Sequence, residues 1–189
     1  MSLTFLVGGA RSGKSSLAVD LVTRHAAMAG GTSVVTVVTG EAGDEEMAAR
    51  IARHRAARPA GWSVVEAPRR LADALTGVDE RSAAEQVVLV DCLSFWVANL
   101  MLDDVPDADI EAEAARAASW AATRSAPIVA VSNEVGSGVV PDHPLGRRYR
   151  DVLGRVNATW AAAADDAWLV VAGRVLALAP ASAAFGPMS

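Results

Sequence analysis

Leu3-Thr4-Phe5-Leu6-Val7-Gly8-Gly9-Ala10-Arg11-Ser12-Gly13-Lys14-Ser15-Ser16-Leu17 is the stretch on which the reading of this chain turns. A short apolar strand runs into a glycine-rich turn, and Leu17, Leu21 and Val22 then recur at helical spacing. Gly8, Gly13, Lys14 and Ser15 fit the pattern GxxxxGK(S/T), which follows a strand and opens a helix here as the pattern requires. Glycine lets the loop turn tightly and present backbone N–H groups to phosphate oxygens. The helix that follows adds the partial positive charge of its N-terminus. Gly8, Gly9, Ala10, Arg11, Ser12, Gly13, Lys14 and Ser15 are therefore expected to hold the phosphates of ATP or GTP. Lys14 is expected to reach the β- and γ-phosphates, and the Ser15 hydroxyl to bind Mg²⁺.

Composition points the same way. Lys14 is the only lysine among 17 basic residues. A chain that otherwise uses arginine keeps lysine where a compact ammonium on a flexible stem suits a phosphate loop. The 189 residues, 52% hydrophobic and 21% charged, fit one soluble domain with a sizeable core. A net charge of -5 argues against a broad grip on nucleic acid or on an anionic membrane. No apolar run reaches the roughly 18 residues of a membrane helix. The N-terminal stretch lacks the basic start and the length of a signal peptide. The single cysteine, Cys92, excludes an internal disulfide. A cytoplasmic location is expected.

Outward from the loop, strands are predicted over 33–38, 63–66, 86–90 and 128–131, with a closing strand pair over 167–172 and 175–178. Helices are predicted over 14–28, 44–58, 69–75, 93–102, 109–123 and 145–163. Short apolar strands alternating with helices make a parallel sheet covered on both faces. The fold class is α/β, a P-loop, RecA-like, mostly parallel sheet flanked by helices, with a small antiparallel closing element. Residues 1–180 form the single expected domain, and 181–189 a loose tail.

Two further features carry chemistry. Val87-Val88-Leu89-Val90-Asp91 ends in a carboxylate and resembles a Walker B strand, so Asp91 is expected to support the loop's magnesium. Glu45 to Arg55 reads as an arginine-rich helix with Arg50 and His54 four apart on one face. Taken alone, that face is either a solvated surface or a neutral imidazole beside phosphate-binding guanidiniums. His25, late in the first helix, reads as a surface residue, and His143, in a Pro-Asp-His-Pro turn, as structural. The five tryptophans are scattered and read as core or interface residues.

A third signature joins these. It is Val131-Ser132-Asn133-Glu134-Val135-Gly136-Ser137-Gly138-Val139-Val140-Pro141, followed by Leu145 to Asp151 and by Gly154-Arg155-Val156-Asn157. With the phosphate loop and the block from Asp44 to Trp62, it resembles the bifunctional adenosylcobinamide kinase/adenosylcobinamide-phosphate guanylyltransferases of cobalamin biosynthesis, from Leu6 to about Leu178. The resemblance implies two reactions: phosphorylation of the aminopropanol hydroxyl of adenosylcobinamide by ATP or GTP, then transfer of GMP from GTP through a guanylyl-histidine. It places the nucleophile at His54, which sits in the RI-x-x-HR context that Arg50 to Arg55 reproduces, and Arg53 stands where some relatives carry a second histidine. It adds Thr39, Gly40, Glu41, Arg55, Ala56, Ala57, Arg58, Glu66 and Asp91 as nucleotide contacts. It also implies a corrinoid substrate and a homo-oligomer, a trimer by preference. Two alternatives stay open: another P-loop small-molecule kinase with no covalent histidine step, and a nucleotide-sensing module or RecA-like motor.

Overall fold

The computed structural model describes residues 3–41, 43, 45, 52, 59, 61–80 and 86–185. Seven strands and six helices follow one another among them. In chain order they are β1 (Leu3–Gly8), α1 (Lys14–Met28), β2 (Val34–Val38), β3 (Ser63–Glu66), α2 (Leu71–Glu80), β4 (Val87–Asp91) and α3 (Leu93–Leu102). After these come α4 (Asp107–Thr123), β5 (Ile128–Asn133), α5 (Pro144–Ala163), β6 (Asp166–Val171), β7 (Arg174–Ala177) and α6 (Ala181–Phe185). The strands form one sheet in the order β3-β2-β4-β5-β1-β6-β7. All neighbours are parallel except β6 and β7, which form an antiparallel hairpin at the edge. This is the mostly parallel sheet with an antiparallel closing element that the sequence predicts.

Strand alternation divides the core in two. Val88 and Val90 of β4, Ile128 and Ala130 of β5, and Leu3, Phe5 and Val7 of β1 face a large cluster built with α2, α3, α4 and α5. Val87, Leu89, Val129, Val131 and Leu6 face the other way, where Ala18, Val22 and Ala26 of α1 cover them. In α4, Ile110, Ala114, Ala117, Ala118 and Ala121 repeat at helical spacing and are buried to the last atom or nearly so. Their small side chains let that helix lie close to its neighbours. Trp96 and Trp160 are fully buried, while Trp62, Trp120 and Trp168 pack against the two clusters from the rim.

Helix ends follow local chemistry. Gly30 and Gly31 take φ of 78° and 87°, which stops α1. Pro144 opens α5, and the Nδ1 of His143 accepts the Gly146 N–H at 3.0 Å, a cap that gives this histidine the structural role expected of it. His25 lies half-buried in the last turn of α1. The helix predicted over 69–75 is displaced and runs to Glu80, while β5 continues past its apolar core through Ser132 and Asn133. Those two polar residues pair with Val7 and Gly8 of β1, so ladder bonding carries the strand beyond its hydrophobic pattern. In the predicted helix over 44–58, Glu45 and Ala52 are helical and the rest lies outside the described residues. Helix α6 lies within the segment predicted to be a tail, and residues 181–183 are exposed.

Candidate functional site

The phosphate loop sits where β1 leaves the sheet. Arg11 and Gly13 adopt φ of 55° and 101°, and Gly13 stands at the N-cap of α1. The left-handed turn at Gly13 aims the first N–H groups of α1 into the loop's hollow. Gly8 cannot be anything larger, because a Cβ there would stand 2.2 Å from the carbonyl oxygen of Val170 on β6. The turn of the β6–β7 hairpin supports the loop from outside, with the Gly173 N–H donating to the Ser12 carbonyl at 2.8 Å. From the other side, the Glu134 N–H donates to the Gly8 carbonyl at 3.0 Å.

Lys14 occupies the middle. Its side chain is 6% exposed, and its Nζ donates to the carbonyls of Gly8 and Gly9, both at 2.7 Å, and to the Ser12 hydroxyl at 3.3 Å. Those three oxygens fix the ammonium inside the loop. Gly9, Ala10 and Arg11 are exposed on the loop's crest, and Ser15 is half-buried in the first turn of α1.

Asp91 ends β4 on the same edge of the sheet. It lies level with Val131 of β5, which lies level with Leu6 of β1. A single strand, β5, therefore separates the Asp91 strand from the loop strand, a distance of about 10 Å between strand axes. The Asp91–Cys92 peptide is cis. Cys92 itself is buried, and burial together with the nearby Asp91 charge pushes its thiol up to about 11. Tyr149 on α5 donates its hydroxyl to the Ser94 carbonyl at 3.1 Å, and burial raises its phenol to about 12.

Thr39, Gly40, Glu41 and Glu66 lie at the next two strand ends. Thr39 follows β2 and is fully buried. Its hydroxyl donates to the Cys92 carbonyl at 2.5 Å and accepts the Cys92 N–H at 3.1 Å, so its side chain is spent on joining two strand ends. Gly40 and Glu41 follow it, and Glu41 pairs with Arg69 at 2.5 Å. Arg69 also grips Asp103 through two hydrogen bonds of 2.6 and 3.2 Å. Asp103 first, and Glu41 second, hold this guanidinium firmly charged, and Arg69 in turn lowers the Asp103 carboxyl below its ordinary range. Glu66 ends β3 and borders a cleft of about 430 Å³ that also takes in Pro68, Arg69, Arg70 and Asp73. His54, Arg55, Ala56, Ala57 and Arg58 lie outside the described residues. By chain connection they belong to the segment that leaves the end of β2 and enters β3 at Ser63.

One residue that no motif singled out ties this corner together. Asn99, buried on α3, donates from Nδ2 to the Thr39 carbonyl at 2.8 Å and to the Pro68 carbonyl at 3.1 Å. Its neighbour Trp96 donates Nε1 to the Arg69 carbonyl at 2.7 Å. The available signal was a lone amide in the otherwise apolar helix Leu93-Ser94-Phe95-Trp96-Val97-Ala98-Asn99-Leu100-Met101-Leu102.

A family model described as cobinamide kinase / cobinamide phosphate guanyltransferase matches residues 4–178. The chain is 40% identical to the bifunctional adenosylcobalamin biosynthesis protein CobU of Escherichia coli (strain K12), over 90% of this chain and 96% of that protein. It is 41% identical to the protein CobP of the same description from Pseudomonas aeruginosa, over 89% and 92% of the two chains. With CobU of Salmonella typhimurium the identity is 38%, over 90% and 96%. By the extent of the model match and by these identities, the chain belongs to the CobU family of cobinamide kinases / cobinamide phosphate guanyltransferases.

Proposed function

We propose that this chain phosphorylates the aminopropanol hydroxyl of adenosylcobinamide with ATP or GTP, and then transfers GMP from GTP to the product through a guanylyl adduct on His54. The observation that carries the reading is the phosphate loop with Lys14 buried at its centre, on the same sheet edge as Asp91. In the first reaction the substrate oxygen bonds to the γ-phosphorus as the bond to the nucleoside diphosphate breaks, and the hydroxyl proton passes to solvent. Backbone N–H groups of the loop and the Lys14 ammonium bind the oxygens on which charge spreads. Ser15 and Asp91 supply oxygen donors suited to a hard cation, and Mg²⁺ held there would neutralise phosphate charge. In the second reaction a neutral His54 nitrogen bonds to the α-phosphorus of GTP and pyrophosphate leaves. An oxygen of adenosylcobinamide phosphate then displaces the histidine, giving adenosylcobinamide-GDP and restoring the imidazole.

Thr39, Gly40, Glu41, Glu66 and Arg55 through Arg58 complete the nucleotide contacts in this reading. A homo-oligomer, a trimer by preference, and a cytoplasmic location belong to it too, with residues 1–180 as one domain. Val175, Leu176 and Leu178 on and beyond the edge strand β7 are 44%, 62% and 39% exposed, an apolar edge suited to a second copy. Among the described residues no helix is long and apolar enough to cross a membrane.

GTP labelled at the α-phosphate tests the histidine step. Acid-labile, base-stable label is expected on the wild type with Mg²⁺, absent from His54→Ala, and chased off by adenosylcobinamide phosphate. Unlabelled but GTP-binding wild type would leave a P-loop kinase and remove the covalent step.

A further inference from the structure

Strand β5 lies between the Asp91 strand and the loop strand, and its last residue is Asn133. Asn133 is level with Gly8 of β1, about 5 Å away across the ladder. The next peptide ties it to the loop's charge, because the Gly8 carbonyl accepts both the Glu134 N–H at 3.0 Å and Lys14 Nζ at 2.7 Å. On the other side Val131 is level with Asp91, so Asn133 stands two residues, about 6.6 Å, farther out along the carboxyl edge. Alternation puts its side chain on the face of Val129 and Val131, which α1 covers. Two partners hold it still. Its Nδ2 donates to the Ser94 hydroxyl at 3.1 Å, and its backbone carbonyl accepts from Nδ2 of Asn157 at 3.0 Å. Ser94 is 1% exposed, and its hydroxyl also meets Cys92 Sγ at 2.9 Å. An amide carries two N–H groups, of which Ser94 takes one. The second has no partner among the described residues, on a side chain half-buried beside the loop.

From this placement we infer that Asn133 is a catalytic residue of the phosphoryl transfer, its second Nδ2–H donating to an oxygen of the γ-phosphoryl group as that group passes to the acceptor hydroxyl. The inference rests on the kinase reaction given above and draws only on the loop, β4 and β5. Lys14 and the loop N–H groups meet the phosphoryl oxygens from the β1 side, and Asn133 meets them from the β5 side. A neutral donor already fixed by Ser94 and Asn157 costs no reorganisation when charge builds on those oxygens.

The test is Asn133→Ala, which removes the donor without adding charge. Asn133→Asp is its companion: it keeps the size of the side chain and can still accept from the Ser94 hydroxyl, but it offers phosphate no N–H. The measurements are kcat and KM for phosphorylation of adenosylcobinamide by ATP, and the Kd of ADP with Mg²⁺, since ADP lacks the γ-phosphoryl group. In both variants kcat is expected to fall about a hundredfold, the usual loss when one preorganised donor is removed. In Asn133→Ala, KM for ATP and Kd for ADP should stay within about threefold of wild type, as an interaction made in the transition state requires. A residue that merely joins β4 to β5 would weaken ADP binding along with kcat, and that result would overturn the inference. A kcat within about threefold of wild type in Asn133→Ala would overturn it too. If Asn133→Ala fails to fold, Asn133→Asp is judged by the same measures, and loss of folding in both makes Asn133 structural. If the wild type phosphorylates no adenosylcobinamide, the substrate reading is what has failed, and Mg²⁺-dependent ATP hydrolysis supplies kcat for the same comparison.

Discussion

At the scale of single residues, Lys14 bonds to the carbonyls that shape the loop around it, so one ammonium both closes the loop and charges it. Lys14→Ala is expected to lower ATP-dependent phosphorylation by about 10²–10³, the usual loss when one preorganised charge donor is removed from a reacting oxyanion. Lys14→Arg is expected to rescue little, because a flat guanidinium does not fit the space of an ammonium bonded to Gly8 and Gly9. Cys92 gives a prediction in pH. Its thiol ionises near 11 in the fold and near its ordinary 9.0 once unfolded, so the native state disfavours the thiolate. Stability contributed here is present below pH 9 and lost as pH rises toward 11. At pH 8 the native thiolate fraction is about a hundredfold smaller than in the unfolded chain, so alkylation by iodoacetamide should be slow natively and fast in denaturant. The loop residues, Asp91 and the capping His143 were legible because each stands in a pattern or turn with a mechanism. Asn99 was not, because its partners are carbonyls 60 and 31 positions away in sequence, and no local pattern encodes such distances.

Among the elements, β1 and β6 approach so closely that glycine alone fits at the end of β1. Gly8→Ala must move backbone rather than a flexible side chain, and a cost of about 1–3 kcal/mol is expected in a urea titration. The β6–β7 hairpin turns through Ala172 and Gly173 at φ of 51° and 74°, and that turn also bonds Ser12. The substitution should therefore weaken nucleotide binding as well as stability. The limits of α1 were legible from its apolar spacing and the stop at Gly30-Gly31, and those of α3 from a run of ten nearly all apolar residues. The limits of α2 shifted because its buried residues Leu71, Ala72, Leu75 and Val78 take their place from packing on α4 and the sheet. Tertiary contact, more than local preference, decided where that helix begins.

At the scale of the whole molecule, among the described residues α1 covers one face of the sheet and α2 to α5 the other, and the hairpin leaves β7 as an apolar outer edge. Leu176→Arg places a charge on that edge at a side chain already 62% exposed, so the fold should be unaffected. Sedimentation velocity is expected to show an oligomer for the wild type and at least tenfold weaker association for the variant. A monomeric wild type would remove the expectation of an oligomer. The parallel sheet was legible from the alternation of apolar strands and helices, whereas strand order was not, since it depends on crossovers that no single segment records. The solitary lysine has one more consequence. A protease that cuts only after lysine finds a single target in all 189 residues, the bond between Lys14 and Ser15, inside the first turn of α1. Digestion should therefore yield two fragments or none, and the rate at which the intact band fades on a gel would time the opening of the phosphate loop.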